Sequence, residues 1–240
     1  MVAKCTAEFL GTYLLIFTVG CNVLGGSGVW AGVSIACVLM VSIYALGGIS
    51  GGNFNPAVSM ALGISKAMGG PGLDWGTVGI YSGVQSVAGV AAALSYTALF
   101  GESFNLAPAK GFNGFHAGLC ELLYTFMLCF VVLNVAAAKK NVQEKNQYYG
   151  LAIGFVIIAG AYGAGAVSGG CFNPAVALGI DMSSAFLGFG WCLPYIGCEL
   201  AGAALAAVLF KVVRPDDFGG EKGTVPWLFD DFCWPQLTSL

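Results

Sequence analysis

Charged side chains are scarce in this sequence. Aspartate, glutamate, lysine and arginine together make up 9% of its 240 residues, whereas a soluble domain carries about 25%. A chain with so little charge cannot cover its surface with polar groups. Hydrophobic residues make up 58% of the chain, and its mean hydropathy is +0.82. We therefore predict an integral membrane protein and exclude a soluble one.

Groups that carry catalysis are also few. The chain has one histidine, His116, and no Ser/His/Asp set, metal-ligand cluster or phosphate-binding loop. Its nine cysteines form no CxxC pair and no metal-ligand spacing, so we interpret them as small packing residues. The net charge of −3 gives no support for a nucleic-acid partner. We predict no enzyme, no cofactor and no metal site.

Long apolar runs dominate what is present. Each of six runs meets the roughly 20-residue length of a membrane-spanning helix. They are Thr6–Leu24, Val29–Gly48, Trp75–Phe100, Phe115–Ala138, Tyr148–Val167 and Phe186–Val213. With the N-terminus in the cytoplasm, eight of the nine lysines and arginines fall on the inner side and only Lys110 falls outside. This asymmetry predicts that both termini are cytoplasmic.

A nine-residue stretch occurs twice between these runs. It reads SGGNFNPAV at Ser50–Val58 and SGGCFNPAV at Ser168–Val176, so that Asn53 and Cys171 are the only difference. Asparagine is a strong N-cap, and proline suits the first helical position. Each copy therefore predicts a helix start, at Asn55 and at Asn173. The first of these helices, from Pro56 to about Ser65, spans on the order of 15 Å, half of the hydrocarbon core.

The two copies lie in repeats about 1–105 and 112–213. Three crossings separate equivalent positions, so the repeats are inverted in the membrane. We predict an all-α membrane protein with six transmembrane helices and two re-entrant half-helices, formed by a single domain, 1–213, and followed by a cytoplasmic tail, 214–240. Both half-helix N-termini point to the midplane, where their partial positive charges repel cations.

The chain resembles the aquaporin (major intrinsic protein) family over about 7–211. The resemblance rests on AEFLGT near the start, the two Asn-Pro-Ala boxes, Gln85, and GAALAAVLF in the last span. It implies a passive channel for water and small neutral solutes in a homotetramer. It also implies that Glu8 and Glu121, two intramembrane carboxylates, brace the re-entrant loops. The implied pore motifs are Asn55, Pro56, Ala57, Asn173, Pro174 and Ala175.

The family's outer selectivity filter usually contains an arginine, but here that position is Val176. The other matched positions are Ile35, Ala161 and Gly170, so every filter member is apolar. We expect a wider, more apolar filter that admits glycerol, urea or ammonia and weakens water passage. Asn53, where the family often has histidine, is expected to change the cytoplasmic mouth.

Two alternatives to a channel remain open on the sequence alone. One is a non-conducting subunit that acts as a scaffold in a membrane complex. The other is a coupled transporter whose ion or proton sites are Glu8, Glu121 and Glu199. Among the remaining polar residues, we expect His116 to be solvated at a membrane edge and Asp181 to face water, and we assign no role to Glu199.

Overall fold

The computed structural model describes residues 1–219, which are nearly all helical. The helices are α1 (Val2–Leu24), α2 (Ala31–Ser50), α3 (Pro56–Ala67), α4 (Trp75–Phe100), α5 (Gly114–Val132), α6 (Lys139–Gln143), α7 (Tyr149–Ser168), α8 (Pro174–Ser183) and α9 (Cys192–Val213). A π-helical segment (Leu133–Ala137) extends α5, and a 3-10 turn (Pro215–Phe218) follows α9.

Six of these helices are long and apolar enough to cross a membrane. They are α1, α2, α4, α5 with its π-helical extension, α7 and α9, and each holds 20 to 26 residues. Their order along the chain matches the six apolar runs of the sequence. The predicted all-α fold with six spanning helices is confirmed.

Helices α3 and α8 are too short to cross, with 12 and 10 residues. At 1.5 Å per residue they measure about 18 Å and 15 Å. Each begins at the proline that follows an asparagine N-cap. The two Asn-Pro pairs therefore start half-length helices, as the sequence predicted.

The packing of the helices repeats across the two halves of the chain. Helix α1 packs on α2 and α4, and α5 packs on α7 and α9 in the same way. Each half-helix crosses to the other repeat, because α3 packs on α9 and α8 packs on α4. Helices α2 and α7 contact each other, so the two repeats also meet along these spanning helices. Because α3 and α8 each pack against the other repeat, both half-helix N-termini lie in the interior.

Close backbone contacts at glycine hold helices together both between the repeats and within one repeat. A Cβ atom at Gly89 of α4 would lie 2.4 Å from the carbonyl oxygen of Ala175, and one at Gly202 of α9 would lie 2.4 Å from that of Leu122. No side chain fits at either place. Small residues allow such close approach of helices in a membrane, where packing rather than hydrophobic exclusion drives association.

The sixth span starts later than predicted. Its apolar run begins at Phe186, but α9 begins at Cys192. Gly188 and Gly190 have φ angles of 136° and 124°, which are incompatible with a right-handed helix. Phe186 is consequently an exposed loop residue, with 74% of its surface accessible. The predicted tail, 214–240, is described only to Gly219; residues 220–240 lie outside the described part of the chain.

Candidate functional site

The site is built on the N-termini of the two half-helices. Asn55 has extended backbone angles (φ −158°, ψ 121°), and its Oδ1 accepts a hydrogen bond from the Ala57 N–H at 2.8 Å. Asn173 does the same (φ −156°, ψ 113°) with the Ala175 N–H at 3.0 Å. Each side-chain oxygen thus satisfies one of the N–H groups that a helix start leaves unpaired.

The two N-termini meet each other. The Asn55 Nδ2 donates to the carbonyl oxygen of Phe172 at 2.8 Å, and the Asn173 Nδ2 donates to that of Phe54 at 2.9 Å. These reciprocal bonds join loops that are 117 and 119 residues apart in the sequence. An amide nitrogen carries two hydrogens, so each asparagine keeps a second N–H for another acceptor.

The loops before both asparagines have a left-handed backbone. Phe54 and Phe172 have φ angles of 51° and 52°, a conformation that costs a residue with a Cβ roughly 1–2 kcal/mol. Gly51 and Gly52 precede Phe54 with φ angles of 100° and 66°, where glycine is free of that cost. Strain of this kind persists only where the surroundings fix the conformation.

Glu8 fixes the first loop. This α1 side chain is fully buried and accepts four hydrogen bonds. Its Oε1 accepts from the Ser50 hydroxyl at 2.6 Å and the Asn53 N–H at 3.1 Å. Its Oε2 accepts from the Phe54 N–H and the Gln85 side-chain amide, both at 2.8 Å. We call Glu8 with these four donors the first brace.

Two glutamates hold the second loop. Glu121 of α5 accepts from the Cys171 N–H at 3.0 Å and from the Phe172 N–H at 2.7 Å. Glu199 of α9 accepts from the Asn173 N–H at 2.9 Å. Both carboxyl groups are fully buried. We call Glu121 and Glu199 with these three donors the second brace.

Sequence reasoning gave Glu199 no role in this site, although a spacing signal was available. The Tyr81 hydroxyl donates to the Ser50 carbonyl at 2.9 Å, and the Tyr195 hydroxyl donates to the Ser168 carbonyl at 2.7 Å. These tyrosines occupy equivalent places in the two repeats. Four residues after each tyrosine comes a polar side chain of the brace: Gln85, which donates to Glu8, and Glu199, which accepts from the Asn173 N–H.

A cavity of about 490 Å³ runs past both asparagines. Its wall is largely apolar, and the main polar groups come from the two re-entrant loops. All four residues of the expected filter, as well as Asn53, line this cavity; the filter residues are Ile35, Ala161, Gly170 and Val176. The apolar lining includes Leu15, Leu39, Ile43, Leu128, Ile153 and Ile157. Both asparagines therefore contribute to the wall of the lumen.

Two polar residues outside the cavity differ in exposure. His116 is exposed in the first turn of α5, where it forms a capping box with Asn113. The prediction that Asp181 faces water is wrong, because its side chain is fully buried. Its Oδ2 accepts from the Gly190 and Cys192 N–H groups at 2.9 Å and 2.8 Å. Asp181 thus anchors the loop that leads into α9.

Comparisons with known proteins show what the chain is similar to. Residues 1–210 match the family described as Major intrinsic protein. The aquaporin NIP1-1 of Oryza sativa subsp. japonica is 31% identical over 223 residues, which cover 89% of this chain and 75% of that protein. The glycerol uptake facilitator protein-like 6 of Lactiplantibacillus plantarum is 31% identical over 219 residues, which cover 89% of this chain and 99% of that protein.

A solved structure supports the fold. The X-ray structure of the aquaglyceroporin from Plasmodium falciparum superimposes with a TM-score of 0.72 and 19% sequence identity. The superposition covers 89% of this chain and 95% of that one. At this level of identity the likeness concerns the arrangement of the helices.

Proposed function

Because the chain belongs to the major intrinsic protein family, whose members are passive channels rather than enzymes, we propose that it conducts water and small neutral solutes and excludes ions and protons. It is an integral multi-pass membrane protein of a family of channels for water and small solutes. The observation that carries the finer proposal is the pair of asparagine amides that meet beside an apolar lumen.

Exclusion of ions follows from the charges at this meeting point. Each half-helix N-terminus carries about half of an elementary positive charge. A cation in the lumen meets both at once, and the apolar wall gives it nothing in exchange for its hydration shell. The N-termini of α3 and α8 therefore raise the barrier for cations and hydronium.

Exclusion of protons follows from the hydrogens of the two amides. A water whose oxygen accepts from both Asn55 and Asn173 directs its own hydrogens away from the centre. It cannot accept a proton from one neighbouring water and pass another on in the same direction. Neutral molecules cross this point because the two amides need only exchange one neutral acceptor for another.

Selectivity among neutral molecules is assigned to the four apolar residues of the outer lumen. Ile35, Ala161, Gly170 and Val176 offer no positive charge and little bulk. Glycerol can place its carbon face against such a surface, and urea and ammonia are small neutral molecules that can follow the same path. Water loses hydrogen bonds there, so we expect it to pass less readily. Asn53 shapes the lumen on the cytoplasmic side of the amides.

Orientation and assembly complete the proposal. The distribution of lysine and arginine supports cytoplasmic termini, with Lys110 on the outer side. The cavity lies inside a single chain, so each subunit of a homotetramer would carry its own pathway. The family resemblance supports that assembly.

Stopped-flow measurements on proteoliposomes test the function. We expect rapid osmotic swelling in glycerol and urea that does not depend on a pH gradient. Solute flux no faster than through protein-free lipid would contradict the wide filter, and an absence of both water and solute flux would favour the scaffold. Accumulation of solute driven by a pH gradient would instead favour a coupled transporter.

A further inference from the structure

The second brace contains a buried carboxyl oxygen without a partner. Glu199 Oε2 has no hydrogen-bond donor among the described residues, although its side chain is fully buried. Glu121, Cys171 and Glu199 each offer one ligand atom, and these three atoms lie within 4.8 Å of one another. The Glu199 carboxyl group, with its unpartnered oxygen, thus lies beside a second carboxylate and a thiol.

The negative charge of Glu121 and Glu199 is not balanced by nearby donors or positive groups. In the first brace a single carboxylate accepts four hydrogen bonds. In the second brace two carboxyl groups share three N–H donors. Across residues 1–219, neither glutamate forms an ion pair with a basic side chain. The α8 N-terminus supplies about half of one positive charge, so two buried carboxylates need a further positive charge.

We propose that Glu121, Cys171 and Glu199 form a site for a borderline divalent cation of the zinc class. One thiolate and two carboxylates are ligands that zinc accepts, whereas a thiolate disfavours magnesium and calcium. In a tetrahedral zinc site the ligand atoms are about 3.5 Å apart. The side chains would therefore close by about 1 Å around the ion.

The ion has a route to this site. Cys171 lines the lumen two residues before Asn173, so a cation that enters from that side can reach the thiol without crossing the barrier at the paired amides, and a water molecule can occupy the fourth position. Binding requires the thiol to lose its proton. The site lies in the wall of the pathway and goes beyond the proposed conduction of neutral solutes.

The first repeat provides the internal control. At the places of Cys171 and Glu199 it has Asn53 and Gln85, and the Gln85 amide donates to Glu8. A Glu199→Gln substitution therefore copies a side chain that the fold already accepts. Its oxygen can still accept from the Asn173 N–H, while one carboxylate ligand is removed.

The test uses the full chain in lipid with any affinity tag removed. Equilibrium dialysis against Zn²⁺ with elemental analysis should give about one ion per chain, and Cd²⁺ should produce an ultraviolet thiolate charge-transfer band. We expect Cys171→Ser to abolish the band, and Cys171→Ser and Glu199→Gln each to weaken Zn²⁺ binding at least about tenfold. Cys192→Ser, a buried cysteine beside Asp181, should change neither, and excess Mg²⁺ should not displace the ion.

Several results would overturn the site. These are the absence of stoichiometric Zn²⁺ binding, a Cd²⁺ band that survives Cys171→Ser, and affinity that is unchanged in a folded Glu199→Gln protein. A proton shared by Glu121 and Glu199 would then supply the missing positive charge. Binding is measured without solute flux, so failure here leaves the proposed channel function standing.

Discussion

The two repeats form the same loop but brace it with different side chains. In both, an asparagine caps a half-helix and a phenylalanine precedes it with φ near 50°. The first brace surrounds one carboxylate with neutral donors, among them the Gln85 amide. The second brace places Glu199 where Gln85 stands, beside Glu121. The backbone conformation of the loop is therefore the same in the two repeats, whereas the side chains that hold it differ.

This difference predicts unequal contributions to stability. Every carboxylate oxygen of the first brace has donors, whereas the second brace leaves Glu199 Oε2 unpaired. Buried carboxyl groups without enough donors or counter-charges are destabilising. Removing a glutamate should consequently do more harm in the first repeat than in the second.

The largest effect is expected from Glu8→Ala. The substitution leaves four donors without their acceptor, two of them the backbone N–H groups of Asn53 and Phe54. At roughly 1–3 kcal/mol for each stranded group, we expect a loss of about 4 kcal/mol or more. Thermal unfolding in detergent, with size-exclusion chromatography, measures this. Glu102→Ala, at an exposed glutamate, is the control and should leave the unfolding temperature unchanged.

Glu121→Ala should be less damaging than Glu8→Ala. It strands only the Cys171 and Phe172 N–H groups, and it removes a like charge next to Glu199. We expect a loss of about 2 kcal/mol, measured by the same thermal unfolding. A loss as large as that of Glu8→Ala would show that the two braces contribute equally and would contradict the asymmetry.

Exchanging the Gln85 amide for an acid, and the Glu199 acid for an amide, tests directly how the two braces differ. Gln85→Glu places a second carboxylate beside Glu8 and removes a donor, so we expect a destabilisation of about 2 kcal/mol. Glu199→Gln supplies a donor to Glu121, so in metal-free buffer we expect no loss or a small gain in unfolding temperature. The same sign of effect for both substitutions would contradict this account.

Much of the fold could be predicted because its signals are local. Twenty apolar residues in a row specify a spanning helix wherever they occur. The Asn-Pro pairs specified the starts of α3 and α8, because capping depends on residues within one turn. The repeat of nine residues then indicated that the two loops are related. These features need no knowledge of which helices pack together.

The side chains that hold the site depend on packing and were harder to predict. Glu199 accepts from an N–H 26 residues away, and its role depends on which face α9 turns to α8. Asp181 looked like a solvent-facing residue at a helix end, but the loop before α9 folds over it. The start of α9 was misplaced because Gly188 and Gly190 turn an apolar stretch into a loop.

Val176→Arg is expected to have a smaller effect, in free energy, than the substitutions in the braces. It would make the second loop differ from the first at one more position. Val58 and Val176 occupy the same place in the two copies of the motif, and both line the lumen. An arginine at Val176 adds bulk and charge on the proposed outer side only. We expect glycerol flux to fall about tenfold, equivalent to about 1.4 kcal/mol, with a smaller change for water. Val176→Leu controls for bulk without charge, and glycerol flux unchanged by Val176→Arg would contradict the proposed filter.

The smallest effect concerns the starts of α4 and α9, which also differ between repeats. Asp74 caps α4 at an exposed position, where its carboxylate accepts from the Thr77 N–H at 2.9 Å and hydroxyl at 2.8 Å. These bonds hold the pKa of Asp74 below its ordinary value of 3.8. Helix α9 has no side-chain cap of its own, and the buried Asp181 accepts from its first N–H instead.

A lowered pKa fixes the direction of the pH dependence. The stabilisation from Asp74 is complete above pH 3.8, the unfolded value, and is lost as the pH falls through the lower pKa of the folded state. Asparagine caps helices about as well as aspartate. Unfolding temperatures of the wild type and Asp74→Asn should therefore agree near neutral pH, and the wild type should lose slightly more stability below pH 3.8. Identical acid profiles for the two proteins would show that the charge of the Asp74 cap adds nothing to the start of α4.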